Sequence, residues 1–555
     1  MSKNLRALSR RKGLDQNLFE KITEVANISL EDRESFLRSI SDEFLIGTSS
    51  VYGASSFYDF LTAGYAGKKV FICDGTACLV SGRQRKLKEQ LLRIFKVEAI
   101  GTKTCLGLCH TNAAFLYNNK AYSLDENDKI EELIKGERHY SGKFNTGTNS
   151  SDPVLINNHE DIPRYYELIK KYSPNPEAAL KEIELSRLRG RGGAGFPFHY
   201  KLNSVRENCG IRKIIVCNAD EGDPGSFSDK WLLEERPHSV LFGMMVSGLI
   251  GGADTGIVYV RGEYPGSVAS ITKAVEQLKA LDLTGQNIMG TGFNFSFKII
   301  KGAGAYICGE ETSLLNSIEG LRPEVRNRPP FPSDYGLFGN PTILGNVETF
   351  ANIWYILKNG GAKYSSMGMK NSTGTKLVSL DGAFRKPGVY EVVMGTPVNY
   401  IFDKLGGGTR YPVKAFQIGG PLGGVVPAGI TGNLSLDFES FASEGFLLGH
   451  AGIVSIPADF PMIGYIKHLF EFTSKESCGK CFPCRIGSQR GFELLEKAVS
   501  KHKKIDIQLF NDLLETLQLG SLCALGGGLP LPVRNILQNF NDELREYFTD
   551  LQNKV

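Results

Sequence analysis

Eight of the 11 cysteines in this chain fall into two quartets: Cys73, Cys78, Cys105 and Cys109 near the N-terminus, and Cys478, Cys481, Cys484 and Cys523 near the C-terminus. Each quartet requires segments that are distant in the chain to meet at one point. Cysteine quartets are how proteins hold iron–sulfur clusters, and clusters move single electrons. Cys478-x2-Cys481-x2-Cys484 places three thiols on one tight turn shaped by Gly479 and Pro483, and Cys523 arrives later on the loop after a helix. Three close ligands plus a remote fourth is the usual geometry of a 4Fe–4S cluster. Structural zinc is the alternative, but it prefers two separated pairs. Cys73-x4-Cys78 and Cys105-x3-Cys109 read as two short loops, each after a strand, with Gly75 and Gly107 allowing the backbone close to a metal. A 2Fe–2S cluster is the first reading there, with zinc or an empty, degenerate site as alternatives. His110 is the one histidine beside these loops. Cys209, Cys217 and Cys308 read as structural thiols.

The rest of the sequence fits an ordinary soluble protein. At 555 residues the chain is too long for one core. Hydrophobic residues at 41% and charged residues at 22% are ordinary, and a net charge of +4 does not argue for nucleic acid or an anionic membrane, so no nucleic acid is expected as a partner. The basic start, Arg6 to Lys12, is followed by an amphipathic segment, unlike a signal peptide. The longest apolar run, Val240 to Ala253, contains glycines and is shorter than the ~20 residues of a membrane span, so no direct membrane insertion is expected. Close-set cysteines of this kind suit a cytoplasmic protein with metal or redox chemistry.

The pattern along the chain predicts a multidomain α/β protein. Residues 1–65 read as a helical segment, with 16–45 helical and Leu18, Phe19, Ile22 and Val25 on one face. Residues 66–140 read as a small α/β unit: a strand Val70–Cys73, a helix Gln84–Phe95, and strands Ala113–Leu116 and Ala121–Ser123 joined by an Asn118-Asn119 turn. Residues 141–152, rich in Gly, Ser, Asn and Thr, read as a linker. Residues 153–370 alternate helices with apolar strands (Ile214–Cys217, Gly256–Val260, Ser296–Ile300), as in a largely parallel α/β domain. Residues 371–455 read as a β-rich module with strands Lys376–Leu380, Gly388–Val393 and Ala415–Ile418. Residues 456–555 read as a four-helix bundle built from Ile463–Phe472, Gly487–Val499, Ile507–Leu519 and Val533–Tyr547, with Pro532 starting the last.

Three glycine-rich or acidic loops lie between the quartets. Gly190-Arg191-Gly192-Gly193-Ala194-Gly195 satisfies G-x-G-x-x-G, but a helix, Pro176–Leu188, precedes it where a dinucleotide fingerprint needs a strand. Arg189 and Arg191 can balance phosphate charge, Phe196 and Phe198 offer aromatic faces, and Lys201 adds a cation. A strand then runs into Asn218-Ala219-Asp220-Glu221-Gly222-Asp223-Pro224-Gly225, a polar turn at the strand edge where α/β folds bind ligands. The third loop, Gly302 to Thr312, opens a helix whose N-terminal amides suit a phosphate. Each loop alone can be a plain tight turn.

Four segments now carry a family resemblance: LRGRGGAGFP (188–197), CNADEGDPGSF (217–227), GAGAYICGEETSLLNSIEG (302–320), and ESCGKCFPCRIG with SLCALGG (476–487 and 521–527). Over roughly residues 150–550 the chain resembles the NADH-oxidising flavoprotein subunit of respiratory complex I and its relatives in NAD-linked hydrogenases and formate dehydrogenases. VYGASSFYDF (51–60), CDGTAC and CLGLC resemble the thioredoxin-like 2Fe–2S subunit of the same enzymes. The fusion of the two resembles the diaphorase subunit of NAD-reducing hydrogenase or the matching subunit of NAD-dependent formate dehydrogenase. The resemblance implies a thioredoxin-like 2Fe–2S domain, an FMN-binding α/β domain, a β-grasp module, and a helical bundle holding the 4Fe–4S cluster. It implies FMN contacts from the Gly190–Gly195 loop, from Asn218, Asp220 and Glu221, from Tyr306, Gly309, Glu310 and Glu311, and from Asn346 and Thr349. It also implies that Phe196, Arg328 and Phe331 stack on and pair with NAD(H), beside Lys201.

The chain departs from the family pattern twice. The family reads GFPTG-x-KW where this chain has Gly195-Phe196-Pro197-Phe198-His199-Tyr200-Lys201-Leu202, which is expected to add bulk near the nucleotide entrance. A second Asn normally precedes Asn346, where this chain has Gly345. The implied function is hydride exchange between NAD(H) and FMN, with single electrons relayed through the clusters to other iron–sulfur and catalytic subunits of a redox complex. No dedicated catalytic acid–base pair is expected. The alternatives are a relay subunit of complex I, or of a bifurcating enzyme, with altered or lost NAD binding.

Overall fold

The computed structural model describes residues 13–118, 120–124, 130–135, 144–156, 162–210 and 212–549. The basic start Arg6–Lys12, Asn119 of the expected turn and the 141–143 end of the expected linker lie outside the described residues.

Among the described residues the first α-helices are α1 (Leu18–Thr23), α2 (Arg33–Phe44) and α3 (Thr48–Ser55). The stretch expected to be helical over 16–45 is broken by a 3-10 turn at Glu24–Asn27. Asn17 starts α1 by accepting from Glu20 N at 3.1 Å, and its amide donates to Ile318 O at 2.8 Å, more than 300 positions away. The expected apolar face is buried, but its partner is the central domain.

The second unit contains β1 (Val70–Cys73), α4 (Thr76–Val80), α5 (Arg83–Leu91), β2 (Ile100–Lys103), β3 (Ala114–Tyr117) and β4 (Lys120–Ser123). Its sheet runs β2-β1-β3-β4, with β1 parallel to β2 and antiparallel to β3. Helix α5 ends four residues earlier than the expected Phe95. Residues 145–148, read as linker, instead form strand β5 (Asn145–Thr148). Their small polar side chains conceal this in the sequence, because the strand is held by backbone pairing to a segment far along the chain.

In the central domain come α6 (Pro176–Ser186), α7 (Phe198–Glu207), β6 (Ile214–Ala219), α8 (Ser228–Glu235), α9 (Pro237–Gly251) and β7 (Thr255–Val260). They are followed by α10 (Pro265–Ala280), β8 (Ser296–Lys301), α11 (Glu311–Ile318), β9 (Thr342–Asn346) and α12 (Val347–Asn359). All strand pairs of this sheet are parallel, in the order β8-β7-β6-β9. Alternate residues face opposite cores. Ile215, Cys217, Val258 and Val260 join the large core beneath α9 and α12, whereas Ile214, Val216, Ile257 and Tyr259 meet the N-terminal helices. A parallel sheet needs both faces covered, and the N-terminal segment is that cover. The apolar run 240–253 is mostly α9, buried against α12, where a Cβ on Gly243 would lie 2.1 Å from Phe350 O. Among the described residues no helix is long and apolar enough to cross a membrane.

The third sheet takes β10 (Thr375–Leu380), β11 (Gly388–Val393), β12 (Val413–Ile418), β13 (Gly424–Pro427) and β14 (Gly452–Pro457), in the order β13-β12-β14-β10-β11-β5. Strand β5 pairs in parallel with β11, from Asn145 opposite Gly388 to Thr148 opposite Glu391. The longer helices that follow among the described residues are α13 (Met462–Glu476), α14 (Ser488–Lys501), α15 (Ile507–Gly520) and α16 (Pro530–Asn539). The last was expected over Val533–Tyr547. It starts at Pro530 and stops at Asn539, and Asn541–Leu544 is a separate short helix.

Candidate flavin and cluster centres

The central sheet reverses direction between β6 and β9: the chain moves from β6 to β7 and β8 on one side, then returns to β9 on the other. Ligands of open α/β sheets sit at the C-terminal ends of strands beside such a reversal. Asn218 and Asp220 lie at the end of β6, and Asn346 ends β9 opposite Asn218. The Gly190–Gly195 loop folds over this crevice as a closed turn. Gly190 N donates to Phe196 O at 2.8 Å, and Phe198 N to Leu188 O at 2.9 Å. Gly193 has φ +120°, and a Cβ on Gly192 would stand 3.0 Å from the Asn346 Cβ.

The three loops are knitted together by their own polar groups. Asn218 Nδ2 donates to Gly309 O at 2.8 Å, and its Oδ1 accepts from Asp220 N at 3.1 Å. Tyr306 Oη donates to Asp223 Oδ1 at 2.6 Å, and Thr349 Oγ1 accepts from Arg191 N at 2.9 Å. This accounting separates groups committed to the fold from those left for a ligand. Glu221 is committed: its carboxylate accepts from Asp229 N and Lys230 N, both at 3.0 Å, closing the start of α8. Glu310 Oε2 takes Thr312 N at 2.9 Å and Ser313 N at 2.8 Å. The amides of α11, expected to suit a phosphate, are therefore already capped. Asn346 likewise caps α12 through Glu348 N and Thr349 N.

The two arginines of the glycine loop diverge. Arg189 is tied through Nε and Nη1 to Gly195 O, Asn371 O and Glu439 and lies over the Phe438 ring. Arg191 is fully buried, with Nη2 on Tyr364 and Thr373 O, while its Nε and Nη1 have no partner among the described residues. Asp220 Oδ2 is also buried and has no partner among the described residues. Burial pushes the Asp220 carboxyl up to about 8. Two orphaned donors, an orphaned acceptor and a glycine-lined crevice fit a phosphorylated cofactor.

At the mouth, Lys201 meets Glu311 at 3.0 Å, and Arg328 meets Glu310 at 2.6 Å and Glu311 at 2.7 Å. Phe196 and Phe331 are exposed. Phe198, expected to narrow the entrance, turns inward instead and stands edge-on to Phe350 at 5.7 Å. It opens α7, and its position on that helix faces the core.

Both quartets lean on this crevice. Cys73 ends β1, Cys78 sits within helix α4 instead of a loop, and Cys105 and Cys109 follow β2, their sulfurs 3.7 Å apart. All four are buried. Gly225 N, from the acidic turn, donates to Cys109 Sγ at 3.3 Å. Arg261 bridges the two parts, donating to Glu221 O at 2.5 Å and Cys105 O at 2.9 Å. The hydrogen bond shared with Cys109 and the Arg261 charge lower the Cys105 thiol, while the same bond and burial push the Cys109 thiol up. His110 packs between Phe144 and Phe227, and burial pushes it down to about 3. Thr76 Oγ1 meets His468 Nε2 of α13 at 3.0 Å, fastening this unit to the bundle.

The C-terminal cysteines form a cluster with Ile307, Tyr306 and Phe472. Tyr306 N donates to Glu476 Oε2 at 3.0 Å, so the third loop touches the helix end that leads into Cys478. Cys484 lies on the turn entering α14, and a Cβ on Gly526 would stand 2.7 Å from the Cys484 Cβ, which brings the Cys523 loop close. Four thiols without other ligand types fit iron–sulfur centres at both places. The sequence reading missed Asp229, Arg261, Tyr264 and His450, which lie behind the crevice. No motif marks them, because they come from separate elements.

Comparison with known proteins agrees with this arrangement. Residues 183–355 match the Nuo51 FMN-binding domain, 464–547 the NADH-ubiquinone oxidoreductase-F iron–sulfur binding region, and 32–138 the thioredoxin-like 2Fe–2S ferredoxin family. The chain is 39% identical over 402 residues, 72% of its length, to the NADP-reducing hydrogenase subunit HndC of Solidesulfovibrio fructosivorans, covering 82% of that protein. It is 38% identical over 396 residues, 71% of its length, to an F-type NADH-quinone oxidoreductase subunit of Rhizobium meliloti strain 1021, covering 94% of it. A crystal structure of NAD+-reducing NiFe-hydrogenase in the air-oxidised state superposes with a TM-score of 0.82 at 26% identity, over 97% of this chain and 94% of that one.

Proposed function

We propose, because the chain belongs to the family of F-type NADH-quinone oxidoreductase subunits, NADH-oxidising flavoproteins with FMN and iron–sulfur centres, that it is the diaphorase subunit of a soluble NAD-linked hydrogenase or formate dehydrogenase. Its task is hydride exchange between NAD(H) and FMN, coupled to single-electron transfer through 4Fe–4S and 2Fe–2S centres to iron–sulfur and catalytic subunits of a hetero-oligomeric redox complex. The observation that carries this reading is that both cysteine quartets touch one crevice, through Gly225 on one side and Tyr306 on the other. The extent of the match to a NAD+-reducing hydrogenase structure, 97% of this chain, supports the fused form.

In this reading the chain's residues bind and orient. Arg191 offers Nε and Nη1 to the FMN phosphate, and the Gly192–Gly193 ribbon lets the cofactor approach the backbone. Asn218, Asn346, Glu310 and Glu221 hold the loops in place through the bonds described above. Bound FMN supplies the conversion between two-electron and one-electron transfer. Phe196 and Phe331 offer faces to the nicotinamide dinucleotide, whose phosphates compete with Glu310 and Glu311 for Arg328 and Lys201. The alternative of a relay subunit with altered or lost nucleotide binding draws on Phe198 and His199. With Phe198 folded into the core, that reading loses its main support.

The purified protein is expected to contain FMN, to bleach on addition of NADH, and to reduce ferricyanide or viologen with NADH. NADPH is the parallel substrate to test, since one relative is a subunit of an NADP-reducing hydrogenase. Absence of both FMN and bleaching would refute the reading. Mass spectrometry of the co-purifying complex identifies the partner enzyme.

A further inference from the structure

His450 is fully enclosed and sits between two carboxylates. Its Nε2 is 3.1 Å from Asp229 Oδ2, and its Nδ1 is 3.8 Å from Glu221 Oε1. Asp229 Oδ2 also accepts from Asn346 Nδ2 at 2.6 Å, at the end of β9. A Cβ on Gly193 would stand 3.8 Å from His450 N. His450 therefore lies directly behind the glycine loop, the acidic turn and the end of β9. All three segments line the crevice.

We propose that His450 is a positioning residue of the flavin centre, held as an imidazolium by Asp229 with Glu221 beside it, so that its charge offsets the carboxylates behind the cradle and favours the reduced cofactor. This rests on the reading of the crevice as the FMN site. Glu221, Asp223 and Asp229 crowd one small volume, and buried like charges cannot all ionise without a counter-charge. The charged groups facing His450 are Asp229 of α8, Glu221 and Asp223 of the acidic turn, and Lys376 of β10. Lys376 is already neutralised by Glu348 in a fully buried pair. Burial and the Asp229 charge push Glu221 up to about 7, and Arg261 offsets Asp223, so Asp229 is the anion that His450 answers directly. Burial alone would push the imidazole down, but the charge and hydrogen bond of Asp229, with Glu221, outweigh it and lift His450 to about 9.

The same three side chains could also be read as a cation site, since their ligand atoms lie within 4.8 Å of one another. The donor set argues for the imidazolium. The Asn346 N–H already points at the shared Asp229 oxygen, and a metal there would face that N–H dipole.

The test is spectroelectrochemical titration of the FMN-loaded, cluster-containing protein, for the natural chain and for His450→Gln. The substitution is expected to lower the reduced-to-oxidised flavin ratio at a given potential near neutral pH about tenfold, or ~30 mV for a two-electron couple. Bound FMN and both cluster signals are expected to stay. In the natural protein the potential–pH profile should bend near pH 9, and the bend should vanish in H450Q. An unchanged potential in FMN-replete H450Q overturns the proposal. So does a natural-protein profile with no bend near pH 9, a measurement that needs no variant. One equivalent of a non-iron divalent metal retained by the natural protein and lost in H450Q also overturns it, in favour of a cation site. Failure of the natural protein to hold FMN instead refutes the assignment of the site itself.

Discussion

Whether a polar side chain is available to a ligand depends on what else in the molecule has already satisfied it. Arg189 and Arg191 flank the same glycine and look equivalent in sequence. Arg189 is committed to Glu439 and backbone carbonyls, whereas Arg191 keeps two buried N–H groups without partners among the described residues. His450 makes the same point for protonation, and it yields a prediction for stability. Its folded-state value of about 9 lies above its ordinary 6.5. The folded protein then holds an extra proton between those values, so this contribution is fully present below pH ~6.5 and is lost as pH rises through ~9. Apparent melting temperature should fall across that window, and H450Q should flatten the fall. A melting series at constant ionic strength checks this. An equal decline in both proteins would show that His450 is not the group responsible.

Elements were legible where their side chains form apolar runs. Strand β1 was predicted to the residue, and β10, β11 and β12 to within two, because each is a short run with apolar and β-branched residues bounded by turns and buried on both faces for most of its length. Strand β5 was hidden for the opposite reason. Its side chains do little, and its backbone pairs with Gly388–Glu391, where a Cβ on Gly388 would come 1.9 Å from Asn145 O. Gly388→Val should therefore unzip this edge without disturbing the cysteines. Limited proteolysis is expected to nick residues 144–152 faster in the variant, with cluster spectra unchanged. Equal cleavage rates would mean that β5 adds no protection. Helix ends failed where local composition misleads: Pro530 starts α16, although Pro532 is the more obvious signal in front of the apolar run.

At the scale of the whole molecule, the N-terminal helices cease to be an appendage. Leu18, Phe19, Ile22, Ile40 and Phe44 cover one face of the central sheet, and Tyr58 Oη donates to Ser317 Oγ at 2.8 Å. Removing residues 13–61 should expose Ile214, Val216, Ile257 and Tyr259. The expected outcome is loss of soluble protein, or strong binding of a hydrophobic dye by what remains. A soluble, FMN-loaded, dye-silent fragment would contradict this account. The same packing places both cysteine quartets against one crevice, so the fusion of modules is a shared core and not a tether.

The sequence by itself determined the chemistry of the two quartets, the parallel character of the central sheet and the family resemblance. Cysteine spacing, strand periodicity and loop composition are local properties that covalent geometry already constrains. Only the tertiary structure decided that Phe198 turns inward, that Glu310 closes the helix amides once assigned to a phosphate, that Arg191 rather than Arg189 keeps buried donors without partners among the described residues, and that His450 stands between Asp229 and Glu221. Those outcomes depend on which distant groups meet, because hydrogen-bond satisfaction and charge balance in a buried site are settled by neighbours from separate elements.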